Sequence, residues 1–173
     1  ALQDEITLKI LTATQVKLTE GEQALGVEKY FRGKQGLDCY LKLREAYGVF
    51  DRWNIESNNL ARRMVEEAMA MCPENAENYN FLATICNRDY LLSNTKSPRE
   101  TLDKGIEMAQ KAIAMDDSFS SAHATLSSLY MKIREFDKSI SEGERAVALN
   151  PIGAAELTSY AASLYVAGRA EEA

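Results

Sequence analysis

The sequence predicts an all-α protein, a solenoid of antiparallel helix pairs with one extra helix at its N-terminal end. Two observations carry this. Three eight-residue segments, Glu66–Pro73, Gln110–Asp117 and Glu144–Pro151, align without gaps. Each is a polar pair, an alanine, alternating apolar and alanine positions, and a helix stop. A second signature precedes each segment. His123-x-x-Leu126-Ser127-x-x-Tyr130 recurs 34 residues on as Leu157-x-x-Tyr160-Ala161-x-x-Leu164. Earlier forms are Tyr79-x-x-Leu82-Ala83-x-x-Cys86 and, more loosely, Tyr40-x-x-Leu43-Arg44-x-x-Tyr47. Spacings of three and four put these side chains on one helical face, so each unit reads as a helix, a tight turn and a second helix.

In chain order, residues 3–18 read as a separate helix. Ile6, Ile10, Ala13 and Val16 form its apolar stripe, and Asp4 and Glu5 sit at the positive end of its dipole. Gly21, Gly26, Gly33 and Gly36 then punctuate a joint of turn and short helix. The helix either caps the first repeat, which a solenoid needs for solubility, or is the last helix of an upstream domain. The repeats cover residues 37–173, as units 37–75, 76–119, 120–153 and a partial 154–173. Ala112 and Ala146 are 34 residues apart but Ala68 and Ala112 are 44 apart, so the second unit carries an insertion. It falls between the paired helices, at Arg88–Lys96, and is expected to lengthen the helices and to leave a protruding loop. Ser97-Pro98-Arg99-Glu100 reads as a capping box restarting the helix. In the first unit Phe50–Ser57 is the equivalent insertion, with Asn54 as the cap.

A period of 34 with this pattern resembles the tetratricopeptide repeat (TPR). The matching residues are His123, Leu126, Ser127 and Tyr130 in a first helix, Phe136 opening the second, Ala146 at the helix contact and Pro151 at the end. Ala154, Gly168 and Ala170 continue the match. Arg134 stands where the family usually has glycine, and Gly143 where it has a large aromatic residue. The resemblance implies a right-handed superhelix and a protein-binding role. Leu2-Gln3-Asp4-Glu5-Ile6 and Lys17-Leu18-Thr19-Glu20-Gly21-Glu22, followed by such repeats, are similar to the C-terminal TPR region of bacterial class III adenylate/guanylate cyclases. That resemblance implies a parent enzyme making a cyclic nucleotide. The two ends read as cut, so the chain is expected to be a piece of a longer protein.

Composition narrows the function. The chain has 173 residues, 26 acidic against 20 basic, and a formal net charge of -6. An acidic surface repels phosphate backbones, so nucleic acid is a poor partner. No apolar run reaches the roughly 18 residues that cross a bilayer, although a parent could be membrane-attached. Cys39, Cys72 and Cys86 have no metal-ligand spacing and read as reduced, mostly buried thiols of a cytoplasmic protein. His123 sits in the packing slot of a repeat helix rather than beside a nucleophile. No phosphate-binding glycine loop occurs. The sequence therefore predicts no catalysis, no metal and no cofactor.

The first helix of each unit is expected to line a concave groove. By phase, its residues are Leu41, Glu45, Asn80, Thr84, Asn87, Arg88, Ala124, Ser128, Met131, Thr158 and Tyr165. Amides, hydroxyls and a few apolar anchors suit an extended segment or a helix. Chaperone-binding members of the family grip a terminal carboxylate with basic residues; here Ser121 and Thr125 hold the corresponding positions. Trp53, Tyr90, Leu91 and Leu92, in the insertions, form a possible second surface or cap the elongated helix pairs. The expected partner is a protein or peptide, with the parent's catalytic domain or a second copy as alternatives.

Overall fold

The computed structural model describes residues 33–173; the helix expected over residues 3–18, with Gly21 and Gly26, lies outside them. The described residues contain seven α-helices and no strand: α1 (Gly33–Phe50), α2 (Ile55–Met71), α3 (Ala76–Leu91), α4 (Pro98–Met115), α5 (Ser120–Lys132), α6 (Phe136–Leu149) and α7 (Ala154–Val166). A short 3-10 turn, Ala170–Glu172, follows. Helices α1/α2, α3/α4 and α5/α6 form pairs, and α7 opens a fourth. Gly33 and Gly36 were expected in a joint but lie in the first turns of α1. The buried stripe of Leu37, Tyr40 and Leu43 outweighs the cost of about 1 kcal/mol that each glycine imposes on a helix.

The joints between units are alike. The chain leaves α2, α4 and α6 at Cys72, Asp116 and Asn150, whose amides donate to the carbonyls of Ala68, Ala112 and Ala146 at 2.9, 3.0 and 2.9 Å. Three residues later Asn75, Phe119 and Gly153 donate back to those cap carbonyls at 3.3, 3.2 and 3.2 Å. The three alanines are fully buried, so the recurring methyl group marks where the helices of a pair meet.

The turns inside units vary in length but keep one device. Trp53, Ser93, Arg134 and Gly168 have φ of 52°, 55°, 64° and 82°. After the last three, Asn94, Glu135 and Arg169 donate to Asp89, Tyr130 and Leu164 carbonyls at 2.8, 3.0 and 2.9 Å. This is the left-handed helix stop that favours glycine. Arg134 is exposed and occupies that conformation at a steric cost of about 1 kcal/mol. Arg134→Gly is expected to stabilise the chain by roughly 0.5–1 kcal/mol, read as a higher urea midpoint; an unchanged or lower midpoint contradicts this.

Much of the second insertion is helix rather than loop. Helix α3 has 16 residues against 13 in α5 and α7, and Arg88–Leu91 form its last turn. The loop proper runs from Leu92 to Ser97. Ser97 is the N-cap with Pro98 after it, but its side chain makes no cap bond. Instead the Thr95 hydroxyl accepts the Ser97 amide at 3.2 Å and meets the Thr101 hydroxyl at 2.5 Å. The expected capping box therefore does not form there. Asn54 does form one: its Oδ1 accepts from the Ser57 amide at 2.8 Å, and Ser57 Oγ accepts from the Asn54 amide at 3.3 Å.

The core changes character along the array. Between α1, α2 and α3 it is large and apolar, built on Leu43, Val65, Phe81 and Ile85. The Tyr47 ring stacks on Phe81 at 3.9 Å, and Phe50 meets it edge-on at 5.1 Å. Leu102, Leu126 and Leu129 fill the next layer. Between α5, α6 and α7 buried hydroxyls replace much of this. Ser127 and Ser139 exchange side-chain to carbonyl bonds at 2.7 Å each, and Ser163 Oγ lies 2.6 Å from Ser139 Oγ and 3.0 Å from Ser127 Oγ. Every one of these hydroxyls donates to a partner, so their burial costs little.

Candidate functional site

Helices α1, α3, α5 and α7 lie side by side. Thr84 Oγ1 on α3 and Thr125 Oγ1 on α5 are 3.5 Å apart, which sets how the two helices align. One turn further on come Asn87 and Ser128, and on α5 Lys132 continues the stripe. Thr84 donates to the Asn80 carbonyl at 3.0 Å and Thr125 to the Ser121 carbonyl at 2.9 Å. Their protons are spent inside their own helices, so each hydroxyl turns only lone pairs outward.

The expected groove residues fare unequally. Leu41, Glu45, Thr158 and Tyr165 are exposed, Tyr165 by 71%. Thr84, Asn87, Ser128 and Met131 are half-buried. Asn80, Arg88 and Ala124 are buried, at 6%, 8% and 4% exposure. Arg88 is the clearest departure. It donates to the Phe50 carbonyl, and its guanidinium packs 3.0 Å from the Phe50 ring centroid and 4.1 Å from that of Trp53. Burial pushes its pKa down to about 10, against the pull of Asp51. Arg88 thus clamps the α1–α2 turn onto α3. Sequence phase points it at the groove; the longer first-unit turn intercepts it.

Trp53 covers that guanidinium while remaining 57% exposed. Tyr90 and Leu91 are exposed at the end of α3, and Leu92 is half-buried in its cap. Lys132, half-buried and seven positions after Thr125 on the same helix face, is not among the residues that phase points to.

Comparison with solved structures shows the same path of helices. The second TPR domain of the human RPAP3 protein, in complex with HSP70 peptide SGPTIEEVD, superposes with a TM-score of 0.58 at 14% identity, over 75% of this chain and 98% of that one. MamA gives 0.56 at 16% identity over 99% and 87%. The P58(IPK) TPR domain gives 0.57 at 14% over 99% and 44%. The chain has the tetratricopeptide-repeat fold. No family model matches it. Over 138 residues it is 31% identical to a protein of Rhizobium meliloti (strain 1021) described as "Putative adenylate cyclase 3". That match covers 80% of this chain, and the chain spans 23% of the relative's length.

Within the TPR groove, the clamp position at Ser121 is occupied. Glu156, 3% exposed near the start of α7, accepts from Ser120 Oγ at 2.7 Å and Ser121 Oγ at 3.1 Å. A buried acidic side chain therefore holds both serine hydroxyls.

Burial, then the neighbouring Cys72, pushes the Cys39 thiol up to about 12, and burial also raises Cys86; neither supplies a thiolate near neutrality. Among the described residues no three His, Cys, Asp or Glu side chains gather to hold a metal ion. His123 lies between two acceptors, Glu142 Oε2 at 2.6 Å from Nδ1 and the Asp117 carbonyl at 3.1 Å from Nε2. Burial opposes its charging, as does Arg145, but the Glu142 carboxylate and the Asp117 carbonyl outweigh both and raise its pKa. A neutral ring carries one N–H and leaves one acceptor unmet. A raised folded pKa gives stability that is complete below the ordinary value near 6.5 and is lost as pH rises through the folded value. The stability that His123 contributes is expected to decline as pH rises above about 6.5, with a slope of at most about 1.4 kcal/mol per pH unit. Urea midpoints in His123→Gln should lack this decline; an equal decline in that variant contradicts the assignment.

Proposed function

We propose that the chain is a non-catalytic interaction module that takes a peptide segment or partner domain along its concave face. The contact runs from Leu41 and Glu45 through Thr84, Asn87, Ser128 and Met131 to Thr158 and Tyr165. The carrying observation is the Thr84–Thr125 approach, which sets two helices side by side and leaves acceptor oxygens between them. Solved arrays of this fold in complex with chaperone peptides support the reading, although Glu156 argues against the same acidic tails here. Asn80, Arg88 and Ala124 act beneath the surface. His123, engaged at both nitrogens, has no free base to offer. Thiols held in no disulfide fit a cytoplasmic setting.

The test is selection of phage-displayed linear 12-residue peptides on the whole chain. Thr84→Arg with Ser128→Arg should abolish binding of the enriched peptides, while Glu100→Arg on the exposed α4 should not. Equal binding by the groove variant overturns the reading.

The similarity to the cyclase-named relative favours a second reading, a regulatory or dimerising segment of a nucleotide cyclase. Placing this chain in that relative in place of the matched segment should preserve cyclic-nucleotide output that deletion alters. Output identical with and without any array removes this reading. A mass that rises with concentration would locate the effect in self-association, for which exposed Leu91 is the candidate contact.

A further inference from the structure

Lys132 closes the α5 stripe as a cation with no anion among the described residues. It is half-buried and, among the described residues, donates to the Ser128 carbonyl of its own helix at 3.3 Å and makes no ion pair. Burial lowers its pKa. One turn back, the buried Asn87 Oδ1 meets no donor among the described residues, an unmet acceptor that rotation of the half-buried carboxamide can bring to an incoming chain. Beyond it stand the outward lone pairs of Thr84 and Thr125. Thr125 and Lys132 are seven residues apart, about 10 Å along the helix at ~1.5 Å per residue.

We infer that the groove between α3 and α5 binds an extended peptide through an acidic side chain seated on Lys132. This rests on the groove reading above. Main-chain N–H groups of the peptide donate to the Thr84 and Thr125 oxygens, and Asn87 bonds the next peptide unit. The aspartate or glutamate lies about three residues further on, because an extended chain advances ~3.3 Å per residue. A side-chain carboxylate fits better than a terminal one. Lys132 is a point charge on a flexible stem, whereas a terminal carboxylate is held by several fixed donors. Glu156 fixes the direction: it lies by Ser120 and Ser121, so the acidic group belongs at the opposite end of the α5 stripe.

The selected 12-residue peptides provide the test. Those that bind the groove should share one Asp or Glu. Changing it to the matching amide should weaken binding to the unaltered chain about tenfold or more, the range of a hydrogen bond to a charged group. Lys132→Met, which keeps the aliphatic stem, should lose affinity for the acidic peptide and no longer distinguish acid from amide. If peptides bind, Thr84→Arg abolishes binding, and yet Lys132→Met is indifferent, the acidic-site inference fails while the groove reading survives. If no peptide is enriched, or Thr84→Arg has no effect, both fail. Unchanged helical signal in Lys132→Met excludes misfolding as the cause of any loss.

Discussion

Asp89→Ala is expected to destabilise the chain by about 3–5 kcal/mol, the scale for removing one partner of a buried ion pair. Asp89 is 6% exposed in the lengthened last turn of α3 and gathers three side chains from two other places. Arg62 on α2 pairs with Oδ2, while Asn58 Nδ2 and Asn94 Nδ2 donate to Oδ1 at 2.6 and 2.8 Å. The Asn94 amide also closes the α3 stop on the Asp89 carbonyl at 2.8 Å. Alanine leaves the Arg62 guanidinium, whose side chain is 21% exposed, without its anion. Two carboxamides lose their acceptor, and the Leu92–Ser97 loop loses its tether. Asp89→Asn keeps an acceptor for Asn58 and Asn94 but turns a donor toward Arg62, so an intermediate loss of about 1.5–3 kcal/mol is expected. Urea denaturation followed by helical signal measures both. If Asp89→Ala and Asp89→Asn cost the same small amount, the network is surface decoration.

The second large effect is expected from restoring the residue that the repeat pattern favours. Gly143→Phe should cost about 3 kcal/mol or more and release α7, although a large aromatic is usual there. A methyl group at Gly143 would lie 3.0 Å from Tyr160 Cα, 3.0 Å from Tyr160 Cδ2 and 3.1 Å from Ser127 Oγ. One of those atoms is backbone, so α6 cannot accept a ring unless α7 moves away. The Tyr160 ring fills the space that an aromatic at 143 would take: bulk has passed from one helix to its neighbour. Gly143→Ala is the milder control, its crowding partly offset by about 1 kcal/mol of helix propensity. Hydrogen exchange in α7 should rise sharply in the phenylalanine variant and little in the alanine one. Protection of α7 unchanged in Gly143→Phe would show that the close approach is not real.

The pairing of helices, the buried Ala68, Ala112 and Ala146, the Asn54 cap and the Gly168 turn all follow from local rules. Spacing, cap chemistry and backbone freedom act over a few residues. The Ser97 capping box failed because Thr95 supplied a competing hydroxyl. Arg88 was misdirected because its partners, Phe50 and Trp53, belong to the preceding unit. The proposed groove floor was partly legible: phase points to Thr84 and Ser128, while Lys132 needs the stripe carried one turn further.

The sequence by itself determined an all-α repeat of helix pairs, since a period of 34 residues with three-and-four spacing admits no other burial of its apolar faces. Tertiary structure alone decided which polar groups remain free. Ser121 is taken by Glu156, His123 by Glu142 and Asp117, Arg88 by two rings, and Lys132 by nothing charged among the described residues. Those partners lie up to 38 residues away along the chain. A hydrogen bond or ion pair depends on separation in space, and the stacking of units sets that separation in ways that no local pattern records.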